Sequence, residues 1–442
     1  MNTIAFLPIG HPDYVTDGTA VRFADTAAKA LMRRGVNLIK TDSIAVTIPD
    51  AREKALALLR EDVDGVILFP ASWVECSVAL AAVRELEHLP ICLWSFPMWM
   101  EGEKECSTGS YVSGAMLEGV FRRMGLSVKA FFGMPDDPAA ADHVSAFCRA
   151  AVARKRLRRC RIGLVGYTSM NILTGTFDHL LLRSKIGPDV EQSDSYSLIR
   201  LAEESTEEEL EAACQLLESR YAVSDAITKP RLRKAMGIYV ALMKLKERQS
   251  LDAVNIKCQY EFSKEYGMTV CVPLSLAASE NYTTSCEGDM FCTVSQLLLS
   301  YLTGQIVAYG DAIHDDGTIL RMSPCGYMPG SLTAGKCEVI PFPDGFGFEG
   351  LMTSCVMKPG KVTLLRLVED VGSYHFLMLT GEGLADTKRR QGLFPALSVK
   401  ADGDLSRLRE LYAGQHFAIC YGDVTEELTY LAAMLGIGVE TI

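Results

Sequence analysis

Positive charge is scarce in this chain of 442 residues: 44 lysines and arginines face 55 aspartates and glutamates, for a net charge of −11. Nucleic acid and anionic membranes both call for clustered cations, so neither is an expected partner. The one basic run, Arg154 to Arg159, ends a predicted helix, where cations complement the helix dipole. No apolar stretch reaches the length of a transmembrane helix, and the first residues enter a strand instead of offering a basic segment before an apolar run. The expected compartment is therefore the cytoplasm. The fourteen cysteines include no Cys-x-x-Cys pair and lack the dense spacing of a disulfide framework, so they read as reduced core thiols. A composition 48% hydrophobic and 22% charged is that of a globular protein, and the length allows about three domains.

Strands and helices alternate through the first region. Thr3 to Pro8, Val36 to Lys40, Gly65 to Pro70, Ile91 to Ser95 and Val128 to Gly133 read as strands with helical segments between them, Gly35 closing the first helix. That alternation predicts a doubly wound parallel sheet. The region has no Gly-x-Gly-x-x-Gly turn and no Walker sequence, so a dinucleotide or ATP is not supported. A second α/β unit opens with the strand Arg161 to Gly166. It continues through a helix over Arg231 to Glu247 and strands over Ala253 to Lys257 and Met268 to Val272. From Thr318 to about Gly381, glycine, proline and short β-branched runs replace long helices, which predicts a β-rich barrel or sandwich. A helix over Thr425 to Leu435 follows. The expected fold class is two doubly wound Rossmann-like α/β domains, 1–158 and 159–316, followed by a barrel-like β domain, 317–442.

The chemistry concentrates in the last third. Residues 290 to 303 show helical apolar spacing with Gly304 as the stop, and 305 to 310 read as the next strand. A helix of that length rises roughly 21 Å and the strand returns roughly 20 Å, so Glu287 and Asp311 share one edge. In open parallel sheets, ligands sit at the carboxyl ends of the strands. Two carboxylates in such a place repel unless a proton or a cation lies between them, and His416 offers a third ligand if the β domain docks against the second domain. A mixed carboxylate and imidazole set suits Mn²⁺ or a similar divalent ion such as Mg²⁺ or Co²⁺, and argues against a closed zinc site. Each residue also has an ordinary reading. Glu287 and Asp289 supply charge at a helix N-terminus, Asp311 serves as a turn residue, and His416 as a hydrogen-bonded histidine. Trp94 and Trp99 follow a strand at the expected binding edge, where they stack on a sugar face or pack at a subunit interface. Cys286 and Cys292 flank the acidic cluster, which raises a nucleophilic or sensor thiol beside the packing role.

Four stretches carry a resemblance: Lys257-Cys258-Gln259, Cys286-Glu287-Gly288-Asp289-Met290, Gly310-Asp311-Ala312-Ile313, and His416 through Asp423 running into Leu435-Gly436-Ile437. The chain resembles the L-fucose and L-arabinose isomerase superfamily, and the order and final histidine are most similar to the L-fucose isomerase branch. These motifs cover only residues after about 255. The resemblance implies a metal-dependent aldose–ketose isomerase in which Glu287, Asp311 and His416 bind Mn²⁺, with Glu287 and Asp311 as the acid and base of an enediol mechanism; a hydride shift is the alternative. It also implies a sugar contact at Gln259, a homohexamer, and a first domain, carrying His11 and Asp13, that acts on a neighbouring subunit's site. One departure stands out. Relatives often carry histidine before Cys-Gly in the β domain, where this chain reads Ser323-Pro324-Cys325-Gly326, which points to a different sugar. A non-catalytic sugar sensor and a metal-dependent epimerase or aldolase are the competing expectations.

Overall fold

The structure, a computed structural model, describes residues 3–16, 18–343, 347–386 and 396–442. The chain divides into two compact units: Met1–Lys155 with Glu426–Met434, and Arg156–Thr425 with Leu435–Ile442.

In the first unit, β1 (Ile4–Ile9), β2 (Leu38–Lys40), β3 (Gly65–Pro70), β4 (Ile91–Ser95) and β5 (Val128–Phe132) form one sheet in the order β2-β1-β3-β4-β5, every pair parallel. β1 and β3 are buried at every residue, as their unbroken apolar runs require of central parallel strands. Helix α1 (Thr19–Met32) turns alanines and Leu31 inward. Tyr430 packs its ring against Phe131 and Phe147, and Arg149 pairs with Glu427, which ties residues 426–434 to this unit.

The second unit joins a parallel sheet to a barrel. β6 (Arg161–Val165), β7 (Asp189–Ser193), β8 (Ala253–Ile256) and β9 (Thr283–Cys286) are parallel in the order β9-β8-β6-β7. β10 (Ala308–Asp315), β11 (Ile319–Ser323), β12 (Gly360–Asp370), β13 (Ser373–Gly383), β14 (Leu397–Ala401) and β15 (His416–Tyr421) close a six-stranded barrel in the order β12-β15-β10-β11-β14-β13, with β13 returning to β12. β16 (Gly438–Thr441) adds to β13 in parallel. The expected boundary at 316 falls inside this barrel, between β10 and β11. Helix α2 (Met290–Thr303) lies between sheet and barrel and is almost wholly buried. It is capped by Asp289, whose carboxylate accepts from Cys292 N, and ends at Gly304 in the left-handed region. Its Ser295 hydroxyl accepts from Leu367 N of β12.

Two elements differ from the sequence expectation. The strand expected over 305–310 is found at Ala308–Asp315, because Gln305 spends its side chain on the Tyr421 backbone and pairing with β11 extends the strand beyond Asp311. Asp311 therefore sits within a strand, not in the turn after one. The strand expected over Met268–Val272 is instead the approach to a helix, Cys271–Ser279. Pro273 stands in its first turn, where a missing N–H costs nothing.

Candidate active and metal site

Glu287 is the first residue beyond β9 and takes a left-handed backbone, φ +70°. Its N–H donates to Ile256 O and its carbonyl accepts from Ser169 N, both at 2.9 Å. Gly288 follows at φ +78°, with space so tight that a Cβ would stand 2.3 Å from Tyr167 O. Asn255, buried in β8, clamps the turn: its Oδ1 accepts from Gly288 N, and its amide donates to Ser285 Oγ, Asp289 O and Thr293 Oγ1. A non-glycine residue at positive φ costs about 1–3 kcal/mol, and this dense bonding holds Glu287 there.

The barrel supplies the opposite wall. Asp311 on β10 lies directly across from His416 on β15 and from Ser323 on β11. His416 Nε2 stands 3.3 Å from Glu287 Oε2 and 3.2 Å from Asp311 Oδ1, while Nδ1 meets Asp289 Oδ2 at 2.9 Å. Three distant stretches thus converge on one imidazole. Arg366 of β12, fully buried, donates to Asp289 Oδ2 at 2.8 Å, to His416 O at 3.0 Å and to Thr174 O at 2.9 Å. Asp289 therefore both caps α2 and orients His416, the arrangement usual behind a ligating histidine.

The electrostatics are those of a place short of positive charge. Burial pulls the His416 imidazole downward, yet hydrogen bonds to Asp289, Asp311 and Glu287 together raise it well above its ordinary value. Burial pushes the Asp289 carboxyl up, and Arg366 and His416 outweigh it, holding the group below the usual carboxylate range. Three carboxylates face one guanidinium and one imidazole. Cis ligands of an octahedral ion with bonds near 2.1 Å lie roughly 3.0 Å apart, close to the 3.2 and 3.3 Å from Nε2 to each carboxylate, whereas the grouping among the described residues whose ligand atoms all lie within 4.8 Å of one another is Cys258, Cys286 and Glu287. The donor set around His416 fits a hard or borderline divalent ion. Asp311, the most open of the group with 22% of its side chain exposed, faces the approach.

The remaining expected residues divide. Gln259 is buried, and its Oε1 has no hydrogen-bond partner among the described residues. His11 caps the turn Pro12–Tyr14 and stands edge-on to Tyr14 and Trp73. Asp13 and Trp99 line one cleft of about 390 Å³ in the first unit. The indole of Trp99 donates to Glu101 and packs on Phe23. Trp94 requires a correction: it is fully buried with its N–H on Gly133 O, so its ring packs the sheet and offers no face to a sugar. Cys292 is also buried and its thiol is pushed up to about 12, chiefly by burial, which leaves no reactive thiolate.

Sequence reasoning missed Arg366, Asn255 and Cys325. Arg366 had a signal, a lone cation inside the apolar run Leu364-Leu365-Arg366-Leu367-Val368, since buried cations demand a partner. Cys325 donates its S–H to Glu287 Oε1 at 3.6 Å, and burial followed by the Glu287 charge raises its thiol.

No family model matches the chain. Curated proteins called sulfoquinovose isomerase align over essentially the full length of both partners. That of Alkalicoccus urumqiensis is 24% identical over 454 residues and covers 100% of each chain. That of Clostridium sp. (strain MSTE9) is 25% identical over 461 residues, covering 99% of this chain and 98% of its own. That of Priestia aryabhattai is 22% identical, covering 98% of each. Among solved structures, a D-allose-bound periplasmic solute binding protein from Actinobacillus succinogenes 130z matches with a TM-score of 0.19 at 11% identity over 69% of this chain and 93% of its own, too low to carry an argument. The full-length relatives make the chain an enzyme, and its class is that of the sugar isomerases. The reaction this class supports is the interconversion of an aldose and a ketose.

Proposed function

We propose that this enzyme converts sulfoquinovose, or a closely related sulfonated hexose, to its ketose at a divalent-metal site formed by Glu287, Asp311 and His416, in the manner of the L-fucose isomerase branch. The observation that carries the metal reading is the meeting of His416 Nε2 with both carboxylates inside a buried, cation-deficient cluster. The substrate reading rests on the names of the full-length relatives. It also accords with Pro324, which stands where many fucose-type relatives carry histidine.

Isomerisation moves a proton off the carbon next to a carbonyl and returns one to its neighbour. A bound Mn²⁺ or similar ion supplies Lewis-acid stabilisation of the charge that grows on the sugar oxygens. Glu287 presents two different oxygens: Oε2 faces His416, and Oε1 faces the Cys325 thiol. The carboxylate can hold a cation with one and take the proton with the other, which removes the conflict between ligand and base. Asp311, more exposed, returns the proton on the other carbon. Asp289 and Arg366 keep the imidazole aimed. The reading includes self-association as a homohexamer. Exposed Leu173, Leu180 and Tyr196 beside the carboxyl ends of β6 and β7 support burial against another surface.

The test is NMR of the purified enzyme with sulfoquinovose, L-fucose and L-arabinose, in deuterated water, with added Mn²⁺ or a chelator. Sulfoquinovose should give its ketose with deuterium at C1 or C2, and the chelator should stop it until Mn²⁺ is restored. Conversion indifferent to chelation would remove the metal from the account, and isotope-free product would favour a hydride shift.

A further inference from the structure

Beside Glu287 lies a second grouping that isomerisation leaves unused. Cys258 Sγ, Cys286 Sγ and a carboxylate oxygen of Glu287 all lie within 4.8 Å of one another, and all three residues are buried. The parallel sheet brings them together: Ile256 of β8 pairs with Cys286 of β9, and Cys258 follows two residues later. Cys325 reaches the same carboxylate at 3.6 Å. Zn–S bonds of about 2.3 Å and Zn–O bonds of about 2.0–2.2 Å place tetrahedral ligands roughly 3.5–3.8 Å apart, so from separations within 4.8 Å the cluster need contract by at most about 1.3 Å. The sulfurs' present partners are hydroxyls and each other: Cys258 Sγ meets Ser169 Oγ at 4.0 Å and shares a hydrogen bond with the Cys286 thiol, and Cys286 Sγ also meets Tyr309 Oη at 2.8 Å. Filling space in a core needs neither two thiols nor a carboxylate beside them. The nitrogen and oxygens around His416 suit a harder ion, whereas sulfur selects a softer one.

We propose that Cys258, Cys286 and Glu287 form a second cation site, taking a thiophilic divalent ion such as Zn²⁺ or Cd²⁺, and that its occupation draws Glu287 away from His416 and switches isomerisation off. Two metal–sulfur bonds form as two S–H bonds break, and both protons pass to solvent. The site itself rests on geometry alone; only its inhibitory effect rests on the reading of Glu287 as part of the isomerase centre. One carboxylate cannot serve both ions in full.

The test titrates the Mn²⁺-loaded full chain with Cd²⁺, following the ultraviolet sulfur-to-metal band and turnover together. One Cd²⁺ per chain should saturate the band, turnover should fall at least about tenfold, and dithiothreitol should restore it. Cys258→Ser and Cys286→Ser should each weaken Cd²⁺ binding by at least about tenfold, as losses around metal sites commonly do. ¹¹³Cd NMR of the unaltered protein counts sulfur ligands without relying on any variant. A sulfur-free resonance, no band, or a band unchanged in both variants overturns the site, and a full band with undiminished turnover overturns the inhibition. A sulfur-ligated ion in protein that converts no sugar contradicts the isomerase reading and upholds the site.

Discussion

One imidazole meets three carboxylates here, and each contact has its own consequence. Glu287→Gln keeps size and burial but removes the base, so kcat should fall by about 10²–10⁴-fold with the fold intact by circular dichroism. Asp289→Asn acts differently. It leaves Arg366 buried without its charge partner, a loss of about 3–5 kcal/mol in denaturant unfolding, and frees the imidazole, weakening Mn²⁺ by about 10–100-fold. If Asp289→Asn bound Mn²⁺ as the parent does, its orienting role would be wrong. The pH dependence follows from the direction of the His416 shift. Its folded-state value is raised, so at neutral pH Nε2 holds a proton that an incoming ion must displace. Mn²⁺ affinity should therefore weaken as pH falls, by about tenfold per unit below the raised value, with proton release visible in calorimetry across buffers. That Glu287 and Asp311 come near one another was legible in the lengths of the helix and strand between them, although Asp311 arrives within a barrel strand and not at a strand's end; His416 depended on the β-rich region docking, which no local length fixes. Arg366 was not, because pairing across 77 positions with Asp289 leaves no local trace beyond its apolar neighbours.

The parallel strands were the most legible elements, since burial on both faces writes them as short apolar runs; β3 and β4 match their expected bounds residue for residue, as does helix α2. What failed was structure set by partners. β10 runs to Asp315 through its ladder with β11, and Met268–Val272 looks strand-like although a helix opens at Cys271 with Pro273 in its first turn. The turn between β9 and α2 is the most demanding joint in the site. Gly288→Ala would set a Cβ 2.3 Å from Tyr167 O at φ +78°. It should cost more than the about 1–3 kcal/mol of the backbone strain alone and abolish turnover. A variant as stable as the parent in urea would show that the turn is looser than described.

At the scale of the whole chain, a parallel sheet and a closed barrel meet within one compact unit, and the site lies where the carboxyl ends of β8 and β9 face the strands that carry Asp311 and His416. No helix among the described residues is long and apolar enough to cross a membrane. Binding linked to folding should stabilise this unit: Mn²⁺ at a hundredfold over its dissociation constant contributes about 2.7 kcal/mol. The melting temperature should rise by several degrees with Mn²⁺, and His416→Ala should abolish that rise. The most direct measurement is anomalous diffraction from crystals soaked in Mn²⁺. A single strong peak bonded to Glu287, Asp311 and His416 together is the predicted result. A peak that leaves His416 unbonded, or none at this cluster at saturating Mn²⁺, would contradict the account.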